Sequence, residues 1–313
     1  MVTVSAPGSL MLLGEHAVLE GYQSLVCAIN KRVTVNLKPL MKSYDLEIDS
    51  SIGRYSSSLT DLKDDLRFQF ILDAVRSVQS NLETGINISI DSDIDSSLGF
   101  GSSAAVTVGV HAVLSYFLNN YFPSKEILFK QALESVRRVQ KVGSGADIAA
   151  SIYGGALGYK TNPDFMPIEF NHSITAVYCG YKKRTSEVIK WVKKQFANDK
   201  IYLKSLLEDI DNCAKKGING LINGIESELI DALNEQQKVM EKLGLNTPEI
   251  DEVIRLMKSD PNINGVKISG SGLGDCVIGL GISSISYGLF QTHHLDITPN
   301  GCALVEENGL EMV

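Results

Sequence analysis

Short apolar segments in the first third of the chain predict the strands of a sheet. Residues 2–5 and the apolar run 9–13 are expected to be two strands separated by an Ala-Pro-Gly turn. Residues 32–37 and 86–90 alternate apolar with polar side chains, which is typical of strands with one buried face. The serine-rich segment 50–58 lacks these patterns and is predicted to be a loop.

Longer segments with apolar residues three or four positions apart predict helices. Residues 62–79 carry such a stripe, residues 104–117 are rich in small and apolar helix formers, and Ser124 precedes a helical segment as an N-cap. The second half is predicted to contain a strand, a basic helix, three acidic helices and two strands, at residues 174–179, 182–194, 203–213, 226–242, 248–257, 266–269 and 277–280. Because helices and strands mix without a regular strand-helix-strand cadence, the pattern alone indicates only a protein of mixed α and β structure.

Composition indicates a globular protein with enough residues for two packed domains. The chain has 313 residues, of which 44% are hydrophobic and 21% are charged. Its net charge of -8 argues against a general nucleic-acid binder. Neither a secretory leader nor a membrane-spanning apolar run is evident, so we expect no membrane partner. Scattered cysteines without metal-type spacing indicate buried thiols and a cytoplasmic protein: Cys27, Cys179, Cys213, Cys276 and Cys302.

Residues 92–111 contain a candidate phosphate-binding turn. A predicted strand runs through Gly99 and Gly101 into a predicted helix, which starts at Ser102 and Ser103. A helix start presents unpaired backbone N–H groups and the positive end of the helix dipole, and together these bind anions such as phosphate. The common lysine-containing nucleotide loop and the dinucleotide pattern are both absent from it. Local sequence is equally compatible with an ordinary strand-to-helix turn that serines cap.

Two other glycine-flanked segments carry side chains that could act on a substrate. Glu15 and His16 follow Gly14 at the end of a predicted buried strand, and loops on a rigid scaffold are where binding groups collect. Further on, Asp147 opens a short alanine-rich helix three residues after Ser144. Its carboxylate could accept a proton from a hydroxyl or attract a cation. A turn cap and a helix N-cap are the structural alternatives.

Residues 266–276 form a third glycine-rich segment, between two predicted strands. Gly270, Gly272 and Gly274 fall within five residues and force a tight loop with exposed amides. Such a nest can hold a substrate or a phosphate, and Ser271 lies within it. A plain glycine-rich hairpin is the alternative.

These segments resemble, in order, the motifs of the GHMP superfamily, the kinases that phosphorylate galactose, homoserine, mevalonate and phosphomevalonate. Gly-Phe-Gly-Ser-Ser-Ala-Ala at 99–105 resembles the family's phosphate loop. Gly-Glu-His-Ala-Val at 14–18 resembles the first motif, in the form that mevalonate kinases have. Ser-Gly-Ala-Asp at 144–147, followed by Tyr-Gly-Gly, is similar to the catalytic segment. The glycine-rich run at 267–276 is similar to the third motif.

The resemblance implies an α+β fold of two domains with the active site in the cleft between them. Residues 1–165 would form the N-terminal nucleotide-binding domain, of the ribosomal-protein-S5-domain-2-like type with a mixed sheet. Residues 166–313 would form a C-terminal domain of the ferredoxin-like type.

The resemblance also implies transfer of phosphate from ATP with the help of Mg2+. The residues that would bind ATP are Gly99, Gly101, Ser102, Ser103 and Ala104. The Ser103 hydroxyl would also bind Mg2+, and Asp147 would accept or orient the proton of the acceptor hydroxyl. The residues that would bind the acceptor are Glu15, His16, Ser144, Ser271, Gly272 and Gly274.

The chain departs from the family pattern at two charged positions. Ser9 stands where the family has a lysine near the catalytic aspartate, and Lys141 is a candidate for the missing charge because it is close in sequence. The acidic magnesium ligand of mevalonate kinases lies eleven positions before Asp147, where this chain has Val136. Glu134 could replace that ligand if the intervening loop is longer.

The acceptor is predicted to be mevalonate, with phosphomevalonate as the alternative. Gly-Glu-His at 14–16 favours mevalonate, whereas Asp275 and the basic residues Lys182, Lys183 and Arg184 would suit an acceptor with a second anionic group. A sugar kinase and a ligand-binding relative without turnover remain further alternatives. The partners expected from the resemblance are this small molecule and, in a homodimer, a second copy of the chain.

Overall fold

The computed structural model describes residues 1–95, 98–161 and 164–305. Ser96 and Ser97 of the candidate phosphate turn, and the end of the predicted second domain from residue 306, lie outside the described residues. The strands are β1 (Val2–Leu13), β2 (Ser24–Leu40), β3 (Asp45–Ser50), β4 (Gly53–Ser58), β5 (Gly85–Ser92), β6 (Ala156–Lys160), β7 (Asp164–Ile168), β8 (Ile174–Tyr178), β9 (Asn264–Ser269), β10 (Cys276–Leu280), β11 (Gln291–Leu295) and β12 (Ala303–Leu304). The helices are α1 (Gln69–Val78), α2 (Ser102–Asn119), α3 (Lys125–Gln140), α4 (Ala146–Tyr153), α5 (Thr185–Gln195), α6 (Lys200–Asn223), α7 (Glu226–Lys242) and α8 (Pro248–Ser259). This mixture confirms the predicted α+β class.

The first sheet has the strand order β12-β1-β2-β5-β3-β4, with β6 and β7 branching from β2. The long strand β2 pairs twice, because its first residues meet β6 and its later residues meet β5. The pair of β3 with β5 is parallel, so the sheet is mixed as the family resemblance implies. The strand β12 lies far along the chain and nevertheless joins this sheet beside β1.

The predicted turn between two N-terminal strands is instead part of one continuous strand, β1. The pairing of β1 with β2 shifts register between Pro7 and Ser9. The strand therefore continues through the Pro-Gly pair with a local irregularity. At Gly8 a Cβ atom would lie 2.5 Å from the carbonyl oxygen of Phe100, so only glycine fits there. The Ser9 N–H donates to the same oxygen at 3.1 Å. The irregularity therefore ties β1 to the candidate phosphate turn.

Two other predictions were wrong in detail. The segment 50–58 is not a loop, because β3 and β4 form a hairpin at the edge of the sheet. The residues of β4 alternate between partly buried and exposed along most of the strand. An edge strand of this kind tolerates serines, and the serine content is why the sequence did not predict a strand. Helix α1 begins at Gln69 rather than at residue 62. The Asp65 carboxylate accepts a hydrogen bond from the Arg67 N–H at 2.9 Å, a local turn that competes with helix.

The second sheet has the order β11-β8-β10-β9 with every pair antiparallel. In chain order this is the 4-1-3-2 arrangement of a ferredoxin-like sheet. Helices α5 to α8 connect β8 to β9, whereas residues 281–290 connect β10 to β11 through turns in place of a second crossover helix. Helix α5 begins at Thr185, so the basic residues before it lie in the loop after β8.

Helix α2 lies at the centre of the N-terminal half and is buried along most of its length. It packs on β1 and β2 and contacts α1, α3 and α4. Gly109 allows the closest approach, since a Cβ atom there would lie 2.8 Å from a Val35 methyl group. Helix α4 also packs on β1. All five cysteines are free and buried, as the sequence predicted. Across the described ranges, no helix combines the length and apolar character that spanning a membrane requires.

Candidate active site

The glycine-rich segments meet around one cavity of about 470 Å³. The starts of α2 and α4 border it together with residues that follow β1, β8 and β9. The predicted site residues among its lining are Glu15, His16, Gly99, Gly101, Ser102, Ser103, Ala104, Ser144, Asp147 and Ser271. Residues far apart in sequence therefore share one binding volume.

The turn before α2 has a backbone conformation and close neighbours that require glycine. Gly99 and Gly101 have φ angles of 71° and 67°, which side chains other than glycine adopt at a cost. A Cβ atom on Gly101 would lie 2.0 Å from the Ser9 hydroxyl oxygen, so the turn cannot hold a larger residue. Gly101 is the N-cap of α2. Because glycine has no side chain, no capping hydrogen bond is made to the first N–H groups of the helix. Because Ser103 is exposed toward the same region, the turn fits a phosphate chain.

Asp147 lies in the first turn of α4, which starts after Gly145 at a φ of 94°. Its Oδ1 accepts a hydrogen bond from the Ser9 hydroxyl at 2.8 Å. The Ser144 hydroxyl accepts from the Ala146 N–H at 3.2 Å, and Gly145 between them is the N-cap of the helix, so Asp147 does not cap it. Burial raises the pKa of Asp147, against the opposing effects of the Ser9 hydrogen bond and the Lys182 charge. The carboxylate is therefore a fixed, poorly solvated group that can accept a proton.

Glu15 borders the cavity, but protein groups already occupy both of its oxygens. Oε1 accepts from the Lys267 ammonium and Oε2 accepts from the Gln236 amide at 2.5 Å. Lys267 is fully buried and Glu15 is 3% exposed. The sequence missed this pair, and Glu15 lies against Lys267 where the family resemblance implied an acceptor ligand. The ion pair joins the end of β1 to β9 and α7.

His16 is held beside the loop between β9 and β10. Its φ of 63° is unusual for a residue with a Cβ atom. Nε2 lies 2.9 Å from the Ser271 carbonyl oxygen, and because a carbonyl only accepts, this nitrogen carries the proton. Burial lowers the pKa of His16, so the ring is neutral at pH 7. The Ser271 hydroxyl is buried without a hydrogen-bond partner and is free to contact a ligand.

Four predicted site residues do not border the cavity. A Cβ atom on Gly272 would lie 2.8 Å from the Leu245 side chain, and one on Gly274 would lie 2.9 Å from the Tyr181 carbonyl oxygen. These glycines pack the loop between β9 and β10 and face away from the cavity. Lys141 is the exposed residue that ends α3 in a left-handed conformation. Glu134 is exposed on the same helix, 3.8 Å from Arg138. Both residues are exposed, and neither belongs to the cavity lining.

Lys182 and Arg184 supply the positive charge that borders the cavity in the part of the chain that the structure describes. Both come from the loop after β8, in the half of the molecule opposite α2. The basic run at 182–184 was visible in the sequence, but its position was not. Lys182, and not Lys141, is therefore the lysine that borders the cavity, which corrects the expectation based on proximity in sequence.

Asp275 is a second buried carboxylate in the cavity wall. It is 6% exposed, and its Oδ1 has no hydrogen-bond partner. The Lys182 ammonium lies 3.8 Å from that oxygen. Burial raises the pKa of Asp275 to about 6, with Lys182 opposing the shift and Asp147 adding to it. Two carboxylates of the cavity, Asp147 and Asp275, are therefore buried at a cost to their charged forms, and Lys182 is the cation near them.

Few protein groups could ligate a metal ion here. Within the described ranges no three His, Cys, Asp or Glu side chains converge as a metal site would require. The Ser103 hydroxyl and the unpaired Asp275 oxygen are oxygen donors of the kind that Mg2+ prefers. An ion that arrives with bound phosphates needs only one or two protein ligands, so these residues fit Mg2+ carried by a nucleotide and not an ion bound by protein alone.

Asp275→Asn is expected to stabilise the folded protein above about pH 6, although Asp275 lies in the wall of the candidate active site. The native pKa of about 6 exceeds the ordinary value of 3.8, so the native state binds more protons than the unfolded state between these values. Stability therefore falls as pH rises through this window, and the variant avoids the loss. Urea unfolding at pH 4.5 and pH 8 should show a gain at both values that is larger at pH 8 by about 1 to 2 kcal/mol.

The exposed Asp251 provides the matched control for this substitution. Asp251→Asn should change the free energy of unfolding by less than about 0.5 kcal/mol at either pH. Equal stability of Asp275→Asn and the wild-type protein at pH 8 would contradict the assigned burial cost.

The sequence matches known families over most of its length. Residues 69–155 match the family described as GHMP kinases N terminal domain, and residues 221–284 match GHMP kinases C terminal. Residues 2–39 match the galactokinase galactose-binding signature.

Relatives and solved structures agree with these matches. The chain is 28% identical to a mevalonate kinase of Aeropyrum pernix over 96% of its length and 98% of that protein's. It is 31% identical to a mevalonate kinase of Archaeoglobus fulgidus, over 88% of this chain and 91% of that protein. A phosphomevalonate kinase of Saccharolobus solfataricus is 27% identical, over 90% of each chain.

Among solved structures, mevalonate kinase of L. major in complex with R-mevalonate superimposes with a TM-score of 0.78 at 20% identity, over 95% of this chain and 96% of that one. The Methanococcus jannaschii mevalonate kinase gives a TM-score of 0.77 at 22% identity, over 94% and 98%. These likenesses confirm the predicted fold. With the Archaeoglobus fulgidus relative and the matches to both halves, they lead to one conclusion: the chain belongs to the GHMP kinase family of ATP-dependent small-molecule kinases.

Proposed function

We propose that this kinase transfers the γ-phosphoryl group of ATP to the hydroxyl of mevalonate and releases 5-phosphomevalonate and ADP. The observation that carries the proposal is that Asp147 borders the same cavity as the turn at Gly99 and Gly101 and the start of α2. The relatives named mevalonate kinase, at 25–31% identity over most of the chain, support this acceptor.

In the proposed reaction the acceptor oxygen attacks the γ-phosphorus of ATP, and the bond to the bridging oxygen of the β-phosphate breaks. ADP leaves with that electron pair, and Asp147 accepts or orients the proton of the attacking hydroxyl. The backbone between Gly99 and Ala104 would hold the phosphates through N–H groups at the start of α2. Mg2+, which the Ser103 hydroxyl would help to hold, supplies charge neutralisation when it is bound with ATP.

His16 and Ser271 are the polar groups that we assign to the acceptor. The neutral His16 ring is fixed by its contact with the Ser271 carbonyl, and the Ser271 hydroxyl has no other partner. Ser144 lies three residues before Asp147 and also borders the cavity. Mevalonate carries one carboxylate and two hydroxyl groups, which such donors and acceptors can satisfy.

Phosphomevalonate is the second candidate acceptor. The observation that favours it is that Lys182 and Arg184 both border the cavity, since a second anionic group would need additional positive charge. The relative named phosphomevalonate kinase, at 27% identity, agrees with this alternative.

An assay that couples ADP release to a spectroscopic signal tests both candidates. Purified protein with ATP and Mg2+ should turn over mevalonate with a kcat/KM at least about tenfold above that for phosphomevalonate, galactose or a heptose phosphate. A preference for phosphomevalonate would replace the first proposal with the second. Measurable ATP binding without turnover of any acceptor would favour a ligand-binding relative.

We also propose two domains that divide near residue 165, a cytoplasmic location and a homodimer. The change of sheet between β7 and β8 supports the division, and the five free thiols support a reducing compartment. Limited proteolysis, cell fractionation and light scattering would test the three proposals.

A further inference from the structure

The proposed reaction needs a cation next to the transferring phosphoryl group, and β1 does not provide one. Ser9 is the residue of β1 that contacts Asp147, and it contributes only a hydroxyl. The charge on three equatorial phosphoryl oxygens must nevertheless be neutralised in the transition state. Among the described residues that border the cavity, the lysine and arginine side chains are Lys182 and Arg184.

Lys182 lies in a loop whose backbone the surrounding structure holds in place. The Asp275 N–H donates to the Tyr181 carbonyl at 2.9 Å, and the Cys179 N–H donates to the Asp275 carbonyl at 2.9 Å. The loop that carries Lys182 is therefore fixed to the segment that carries Asp275. The side chains continue this connection, since the Lys182 ammonium lies 3.8 Å from Oδ1 of Asp275.

Asp275 in turn lies directly against the phosphate turn. A Cβ atom on Gly99 would lie 2.1 Å from the same Oδ1, so the carboxylate occupies the space beside that glycine. A buried carboxylate beside a phosphate site would by itself repel the nucleotide. Its Oδ1 has no hydrogen-bond partner, which leaves the Lys182 ammonium as its nearest charge complement. Asp275 therefore contacts both Gly99 and the Lys182 ammonium.

We propose that Lys182 is the catalytic cation of this kinase and that Asp275 is a positioning residue that holds Lys182 beside the phosphate turn. This inference rests on the proposed phosphoryl transfer. Lys182 donates hydrogen bonds to the γ-phosphoryl oxygens and transfers no proton, since the proton of the acceptor goes to Asp147. Lys182 also acts electrostatically on Asp147, so one cation lies near both the acid and the phosphate turn.

The test compares Lys182→Met with Lys183→Met, whose exposed parent lysine does not border the cavity. Lys182→Met should lower kcat by about 10²- to 10³-fold and change the Kd of MgADP less than about fivefold. Lys183→Met should leave both within about twofold. Adding Ser9→Lys to Lys182→Met should recover at least about tenfold in kcat, because it supplies a cation from β1 next to Asp147. Equal kcat values for the two methionine variants would overturn the proposal.

A binding measurement separates this inference from the proposed function. MgADP with aluminium fluoride mimics the transferring phosphoryl group and requires no correct acceptor. Lys182→Met should weaken this complex about 100-fold relative to MgADP alone, in a calorimetric titration. If the wild-type protein turns over none of the acceptors, the proposed function fails, and this titration still decides the role of Lys182. An unchanged affinity would refute that role.

A double-mutant cycle tests the positioning role of Asp275. Asp275→Asn should lower kcat about tenfold or more in the wild-type protein and have little further effect in Lys182→Met, because it acts through Lys182. The Mg2+ concentration for half-maximal rate should stay unchanged. A higher Mg2+ requirement would identify Asp275 as a metal ligand instead, and additive effects would show that the two residues act separately. Either result overturns the positioning role.

Discussion

Asp147→Asn is expected to lower kcat by about three orders of magnitude and to change the Kd of ATP by less than about threefold. Asparagine keeps the shape of the side chain and can still accept the hydrogen bond from the Ser9 hydroxyl. It cannot accept a proton from the acceptor, however, and it carries no negative charge. Steady-state rates with mevalonate and titration with a non-hydrolysable ATP analogue would measure the two effects.

Asp251→Asn is the control, because Asp251 also lies in the first turn of a helix but is exposed and outside the cavity. Its kcat should equal that of the wild-type protein. Full activity of Asp147→Asn would remove Asp147 from the reaction. A large loss of ATP affinity would instead show that the carboxylate helps to hold the nucleotide.

Lys267→Met is expected to lower the free energy of unfolding by about 3 to 5 kcal/mol. The substitution leaves the Glu15 carboxylate buried without the ammonium that balances its charge. Glu15→Gln should be similarly costly, because it leaves a fully buried ammonium unbalanced. Combining the two should cost clearly less than the sum, since the pair is then replaced by neutral groups. Urea unfolding of the four proteins would measure this coupling.

An exposed ion pair on α6 provides the comparison. Lys204 and Glu208 lie 3.7 Å apart, with side chains 71% and 50% exposed. Lys204→Met should therefore cost less than about 1 kcal/mol. If Lys267→Met were equally mild, the buried pair would not contribute to the junction between β1 and β9.

The sequence predicted several local features correctly because neighbouring residues decide them. The Ser124 hydroxyl accepts from the Ile127 N–H, as its position before a helical stripe implied. Gly99 and Gly101 adopt the positive φ angles that their spacing before a helix indicated. Asp147 falls in the first turn of a short helix, also as expected. Backbone conformation and capping depend on a few consecutive residues, so they can be predicted from the sequence without knowledge of the fold.

The surroundings of Glu15 and Lys141 could not be predicted from neighbouring residues. Proximity in sequence suggested Lys141 as a source of charge, yet Lys141, which directly follows α3, is exposed to solvent. Glu15 has its charge partner 252 positions away, on β9. A glycine pattern identifies where a ligand can approach the backbone, but it does not indicate which charges the opposite half of the molecule brings to that ligand.

By itself the sequence determined the α+β class, the candidate phosphate turn, the helix that carries Asp147 and the resemblance to one kinase family. Only the tertiary structure decided which charged groups lie together: Ser9 with Asp147, Glu15 with Lys267, and Lys182 with Asp275. The physical reason is that local conformation follows from short-range sterics and hydrogen bonding. The state of a charge instead depends on burial and on partners within a few ångströms, which packing of the whole chain brings together.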